Sequence, residues 1–333
     1  MIIESRAPNR ILDFGGWSDT RFAGRGRVTN LAVTLFAHVT LATRTEPGVT
    51  VHVLDYGDRL DVTDVVKEQY GTKHDLILAA LKVMPLSSGL DVYITADVPP
   101  GCGTGSSAAI TIALIKGLSV LAGQPMVPHE LARLAHEIET EELGNECGVQ
   151  DQIASAYGGL NYIAIDRYPA ANVSSIPVPE AVRLALESRL LLVYEGVGHL
   201  SSNVHRQVMA GMEQPDSSVP DTLSGLIKCA QRAKDALIQG DLDALAEIMD
   251  ENNGLQKELH PGITTPRIER IEETARERGA IGAMINGAGG GGSITLLCRP
   301  GTRTVVAYAL RKQGFTILPC TIALDPAMAW AVS

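Results

Sequence analysis

The sequence predicts an α+β fold in two domains, and three observations carry that reading. The chain has 333 residues, more than one ordinary core accommodates and suited to two domains or one enlarged α/β unit. Segments of strand character and segments of helical periodicity follow one another in mixed order, unlike the regular alternation of a doubly wound parallel sheet. Residues 167–179 interrupt the periodic pattern with prolines and polar side chains, so the division is expected there, into 1–168 and 169–333.

The elements follow in order. Residues 2–45 carry β-type runs, clearest over 28–43, where Val, Thr and Leu alternate, and 49–53 and 90–96 read as further strands. Residues 104–122 form a helix behind a Gly/Ser-rich entry. Residues 128–143 form a second, with Pro128 in its first turn and Gly144 just past its end. A short helix or turn over 151–157 and a strand over 160–165 come next. In the second half, 189–194 reads as a strand, and 221–238, 241–258 and 266–279 as helices. Residues 284–285 and 293–298 read as strands flanking a glycine cluster.

Composition narrows the function. A net charge of −10 disfavours a partner that is nucleic acid or an anionic membrane surface. There is no basic segment leading into an apolar signal core, and no run of about eighteen apolar residues. Five dispersed cysteines without a CxxC pair read as reduced, packed thiols of a cytoplasmic protein. Aromatics are scarce at 4% while 33 glycines are unevenly placed, so glycine position becomes informative.

Three stretches carry chemistry. The first is PPGCGTGSSAA at 99–109. Gly101, Gly103 and Gly105 let backbone amides turn toward one point, and the helix entering at Ser106 adds its positive dipole end. That geometry binds phosphate; the plainer alternative is a glycine-rich turn with a serine cap. With no Lys after the last glycine it is neither a Walker loop nor a dinucleotide fingerprint. The second is the acidic run Glu137, Glu139, Glu141 and Glu142, ahead of GVQDQ at 148–152. Carboxylates at a helix C-terminus face the negative dipole end, which a magnesium–nucleotide complex offsets, unless they form a solvated face. Asp151 could equally cap the next helix. The third is NGAGGGGS at 286–293. Five glycines in six residues cost backbone entropy that a simple turn does not require, so the backbone there approaches a ligand or another loop.

Together with RAPNR at 6–10 and GGWSDT at 15–20, these motifs resemble the GHMP superfamily of small-molecule kinases. They stand in the family's order and span nearly the whole chain, and the GGWSDT wording and HPGITTP at 260–266 are most similar to its fucokinase and heptose 7-phosphate kinase branch. The resemblance implies a ribosomal-protein-like N-terminal domain, a ferredoxin-like C-terminal domain and an active site between them. It implies ATP and Mg²⁺, with Pro100, Gly101, Gly103, Thr104, Gly105, Ser106, Ser107 and Ala108 around the nucleotide and Ser107 and Glu139 on the metal. Asp151 takes the position of the catalytic carboxylate, paired with Arg10, and Asp19 that of the carboxylate gripping sugar hydroxyls. Gly16, Trp17, Gly289 and Gly290 are expected at the substrate, Trp17 as a stacking or merely packed ring. Departures from the pattern are Met284 for Lys, Ser293 for an aromatic, Thr104 for Leu, and Gly16-Trp17 for the Glu-His of galactokinases. The last points away from galactose.

The expected reaction is ATP-dependent phosphorylation of a sugar hydroxyl, the anomeric one, on a heptose 7-phosphate or a free aldose such as fucose. A non-catalytic sugar sensor and an ATP-dependent decarboxylase are the rival classes. Arg21, Arg25 and Arg27 either grip a phosphate already on the sugar or pair with surface carboxylates. The segment 199–205, with His199 and His205, reads as a helix cap or a substrate loop. The oligomeric state is not legible.

Overall fold

The computed structural model describes residues 1–85, 89–196, 207–211 and 218–332; the 199–205 segment lies outside them. The expected α+β order is present, built around two sheets.

The first sheet has eight strands. Strand β1 (Ile2–Phe14) and the 19-residue β2 (Gly26–Arg44) form its centre. They pair antiparallel, with register shifts between Pro8 and Asn9 and between Ile11 and Phe14. Proline cannot donate to a ladder, so the irregularity falls where one is forced. Beyond β2, β5 (Gly89–Ala96) pairs with its second half and β6 (Leu160–Arg167) with its first. Strands β3 (Val49–Val53) and β4 (Asp58–Val62) extend the β5 side, and β7 (Ala170–Ser175) extends β6. The C-terminal strand β12 (Met328–Val332) returns to pair with β1, Val332 opposite Ile2. The expected division after residue 168 therefore falls in the β6–β7 hairpin, and the first sheet draws on both ends of the chain.

One face of this sheet is covered by helices α1 (Asp75–Val83), α2 (Ser106–Leu121), α3 (Pro128–Glu137) and α4 (Gln150–Tyr157). Helix α2 is nearly all apolar and buries most of its circumference, as expected of a helix inside a core rather than on a surface. The single helix expected over 128–143 is instead α3 followed by a π-helical turn at Ile138–Glu142. The wider turn keeps Ile138 in the core, 1% exposed, and lets Glu139 line the cleft described below.

The second sheet is β11–β8–β10–β9, all antiparallel, from β8 (Leu190–Tyr194), β9 (Ala280–Ile285), β10 (Ser293–Cys298) and β11 (Thr316–Leu318). The strand expected from residue 189 begins at Leu190, because Arg189 closes helix α5 (Glu180–Arg189). Both faces of this sheet are buried. Leu190 and Leu192 face a core with helices α6 (Val219–Gln239) and α7 (Leu242–Leu259). Leu191 and Val193 face one with α8 (Pro266–Glu277) and α9 (Arg303–Lys312). That explains why β8, Leu-Leu-Leu-Val-Tyr, reads as an unbroken apolar run, and why even Ser293 and Thr295 of β10 are buried. Helix α6 also joins the halves: Ala230 and Ala233 pack with Ile11, Phe14 and Leu31, and Thr29 Oγ1 donates to the Ala230 carbonyl at 2.8 Å.

Leu114 of α2 is fully buried between helix and sheet. Leu114→Ala is expected to lower unfolding free energy by about 2–5 kcal/mol through lost transfer energy and a residual cavity, read from the denaturant midpoint.

Candidate active site

The motifs singled out in the sequence converge on one cleft of about 550 Å³ between the two sheets. Its centre is Arg10, on β1 just past the irregular register, 3% exposed. Arg10 Nε donates to Asp151 Oδ1 at 2.8 Å, Nη1 donates to the Gly103 carbonyl, and Nη2 lies 3.9 Å from Asp13 Oδ2. Burial pulls the guanidinium down, and Asp13, Asp151 and Asp19 overcome it and hold Arg10 above its ordinary value.

Asp151 opens α4, its side chain about one-third exposed to the cleft. Two other carboxyls lie nearby, Asp19 buried and Glu139 half-buried. Asp19 accepts from the Gln150 amide at 3.0 Å. Burial, with Asp151 and Asp13 adding repulsion, pushes it up to about 6 against that hydrogen bond. Glu139 accepts from Gln152 Nε2 at 3.0 Å, and burial followed by Asp151 pushes it up to about 7. Gly148 is glycine because Asp19 fills the space of a side chain: a Cβ there would lie 1.9 Å from Asp19 Oδ2.

The two glycine-rich loops pack backbone against backbone. A Cβ on Gly103 would lie 2.7 Å from the Asn286 carbonyl, one on Gly287 2.7 Å from the Gly103 carbonyl, and one on Gly292 2.7 Å from that of Gly101. Ser293 Oγ donates to the Cys102 carbonyl at 2.7 Å. The close approach that five glycines predict is thus met, at least in part, by the other loop.

Of the expected site residues, Arg10, Trp17, Asp19, Gly101, Gly103, Gly105, Ser106, Ser107, Ala108, Glu139 and Asp151 line the cleft. Five expected there do not. Thr104 is fully buried, its hydroxyl donating to Asn9 Oδ1, and Pro100 precedes the lining stretch. Gly16 is held under Asp13, its amide on the Asp13 carbonyl at 2.9 Å. Gly289 and Gly290 pack against Ile263, the latter donating its amide to that carbonyl at 2.7 Å. Gly287 and Ala288 are the residues of that loop at the cleft. Trp17, at φ +74°, is 5% exposed and packs with the second-sheet core.

Three lining residues escaped the sequence reading. Asp13 accepts from the Gly287 amide at 3.1 Å and from Gln150 Nε2 at 3.3 Å. Lys73, paired with Asp58 at 2.6 Å, lies 5.1 Å from the ring of Tyr56. Asp13 lies between RAPNR and GGWSDT and could have been suspected, whereas no local pattern marks Tyr56 or Lys73. The arginines after Asp19 point elsewhere: Arg27 binds Asp166 at 2.7 Å, and Arg21, 72% exposed, lies 3.7 Å from Glu146. None of Arg21, Arg25 and Arg27 lines the cleft.

Among the described residues no helix is long and apolar enough to cross a membrane, and the five cysteines are free.

Comparison with known proteins matches two family models, the GHMP kinases N terminal domain over residues 65–159 and the GHMP kinases C terminal over 233–315. The chain is 25% identical to a D-glycero-alpha-D-manno-heptose 7-phosphate kinase of Campylobacter jejuni, over 99% of each chain. It is 31% identical to a mevalonate kinase of Pyrococcus horikoshii, over 78% of this chain and 72% of that one. A solved structure of a D-glycero-D-manno-heptose 1-phosphate kinase from Bacteroides thetaiotaomicron superposes with a TM-score of 0.82 at 21% identity, over 99% of both chains.

The raised Asp19 has a pH signature. Between its ordinary value of 3.8 and about 6 the folded carboxyl stays protonated while the unfolded one ionises. Stability from this group is therefore full below the lower value and lost as pH rises through the higher. Asp19→Asn is expected to match wild type near pH 4 and to exceed it by about 2–3 kcal/mol above pH 7, measured as unfolding free energy of the ligand-free protein across pH.

Proposed function

The chain belongs to the GHMP kinase family, a kinase that uses ATP, and on that premise we propose that it phosphorylates the anomeric hydroxyl of a sugar. The observation that carries the proposal is the buried Arg10–Asp151 pair set against the first glycine loop, with Asp19 burying a second carboxylate beside it.

The roles follow from position. Amides of Gly101–Ser107 and the N-terminus of the 16-residue α2 present donors and a positive dipole end to the nucleotide phosphates. Asp19 is placed to accept hydrogen bonds from sugar hydroxyls and so to fix which hydroxyl faces Asp151. Asp151 orients that hydroxyl and accepts its proton as the bond to phosphorus forms. Arg10 anchors Asp151 through the 2.8 Å hydrogen bond and supplies positive charge beside the transferring group. Ser107 and Glu139 fit a Mg²⁺ site: both line the cleft, and Glu139 is a half-buried carboxyl beside the Gln152 amide, the Cys147 thiol and the Asp151 carboxylate, so a cation would relieve it. Bound there, the metal would neutralise phosphate charge. The retained Arg10–Asp151 pair weighs against a non-catalytic sensor; carbon dioxide release would mark the decarboxylase alternative.

For the sugar we favour a heptose 7-phosphate, supported by the full-length similarity to the Campylobacter kinase. A free aldose is the second reading, favoured by the cations. Arg10 and Lys73, the two cations that line the cleft among the described residues, are both engaged by carboxylates, and Arg21, Arg25 and Arg27 do not line it.

Asp151→Asn is expected to reduce turnover by about 10²–10⁴-fold while nucleotide affinity holds. Turnover within a few-fold of wild type would remove Asp151 from the chemistry. In a sugar panel scored for ADP and carbon dioxide, kcat/KM is expected to be highest for heptose 7-phosphate, with no carbon dioxide. Single changes of Arg21, Arg25 and Arg27 to Ala are expected to leave the ratio of phosphorylated to free sugar unaltered. Equal use of the free heptose would select the second reading.

A further inference from the structure

A second cavity of about 690 Å³ lies outside the catalytic cleft, within the size range of small-molecule sites. None of the roles above uses it. Helices α3 and α4, the π turn and the β6–β7 hairpin enclose it. Its floor is apolar, with Ala132 and Ile153 buried and Tyr157 and Val173 packed on the first core. Its rim is basic: Arg21, Arg133 and Arg167, with His129. Against these stand Glu141 and Glu137, the latter spent on Arg133 at 2.6 Å. Among the described residues Arg167 makes no ion pair, and Arg21 has only the long contact to Glu146. In a protein of net charge −10, an apolar pocket rimmed by three guanidiniums selects a particular ligand chemistry. It suits a molecule with a flat apolar body and a phosphate.

The wall toward the catalytic cleft is also specific. Tyr168 lines the cavity, its hydroxyl 2.7 Å from His136 Nε2 and donating to the Cys147 carbonyl at 3.1 Å. Cys147 lines the catalytic cleft and precedes Gly148, which bridges Thr20 and encloses the Asp19 carboxylate. A ligand that displaces the Tyr168 ring thus acts on the backbone that holds Asp19.

We propose that this cavity is a binding site for a phosphorylated small molecule with a flat apolar body, whose occupancy is transmitted through Tyr168 and Cys147 to Asp19. The second half rests on the sugar role proposed for Asp19; the first does not.

The test titrates the full chain with 1-naphthyl phosphate while a non-hydrolysable ATP analogue saturates the cleft. Binding is expected to persist under the analogue. Arg167→Glu is expected to weaken it about tenfold or more, and Ala171→Trp, filling the cavity from the hairpin, to abolish it. 1-Naphthol is expected to bind at least about tenfold more weakly than its phosphate. Displacement by the ATP analogue, indifference to both substitutions, equal binding of naphthol, or no binding at concentrations on the order of 10 mM would each overturn the site. This readout needs no turnover, so it is independent of which sugar is used. Coupling is read separately: saturating probe is expected to change KM for the sugar and not for ATP, and Tyr168→Phe to remove the change while the probe still binds. An unchanged sugar KM with the probe bound would sink the coupling.

Discussion

The site depends on one guanidinium. Asp13, Asp19 and Asp151 are brought together inside the protein, two of them nearly without solvent, and like charges at that range exclude one another unless a cation stands among them. Arg10 is that cation. Its three contacts reach α4 through Asp151, the first glycine loop through the Gly103 carbonyl, and its own strand through Asp13. A buried ion pair is weak evidence for stability, because desolvation offsets most of the attraction. What this one provides is position: its fork fixes the carboxylate and the phosphate-binding loop in the same frame.

Asp13 carries that frame to the other half of the molecule. Its carboxylate accepts the Gly287 amide from the second glycine cluster and the Gln150 side chain from the turn before Asp151. Around it the two loops meet with no room for side chains, and Glu195 closes the far end by accepting the Gly292 amide at 3.1 Å. The halves are therefore registered by backbone contact, with glycine required both by distance and by the positive φ of Gly103, Gly287 and Gly292. Helix α6, packed on both sheets' cores, holds that register from behind.

Much of this was legible because it is local. Helix α2 with its glycine entry, β2, β5 and the hairpin around the second cluster announce themselves by periodicity and by glycine spacing, and the motif residues Arg10, Asp19, Ser107, Glu139 and Asp151 do reach one cleft. What escaped depends on distant partners. Nothing in the last residues shows that β12 will pair with β1 across the whole chain. The π turn is invisible to a 3.6-residue template, though it is what lets Ile138 stay buried while Glu139 lines the cleft. Helices α1, α5 and α9, unassigned from sequence, are only 9 or 10 residues long, too short for their periodicity to stand out from the neighbouring runs. Gly289 and Gly290 were read as substrate contacts because abundance of glycine signals close approach without naming the partner, here Ile263. Arginines near a substrate motif likewise signal charge but not direction.

The cleft holds its carboxyls at an electrostatic cost. Burial raises both Asp19 and Glu139 out of the ordinary carboxyl range, with Asp151 adding to each, and Arg10 is committed to the pair it already makes. Such strain is tolerable only where something binds to relieve it. The two carboxyls ask for different relief. In the proposed function Glu139 would be eased by a cation arriving with the nucleotide, and Asp19, enclosed by Gly148 and the Gln150 amide, by donors such as sugar hydroxyls. Asp151 adds repulsion to both carboxyls, so positive charge brought into the cleft at one of them would ease the other as well.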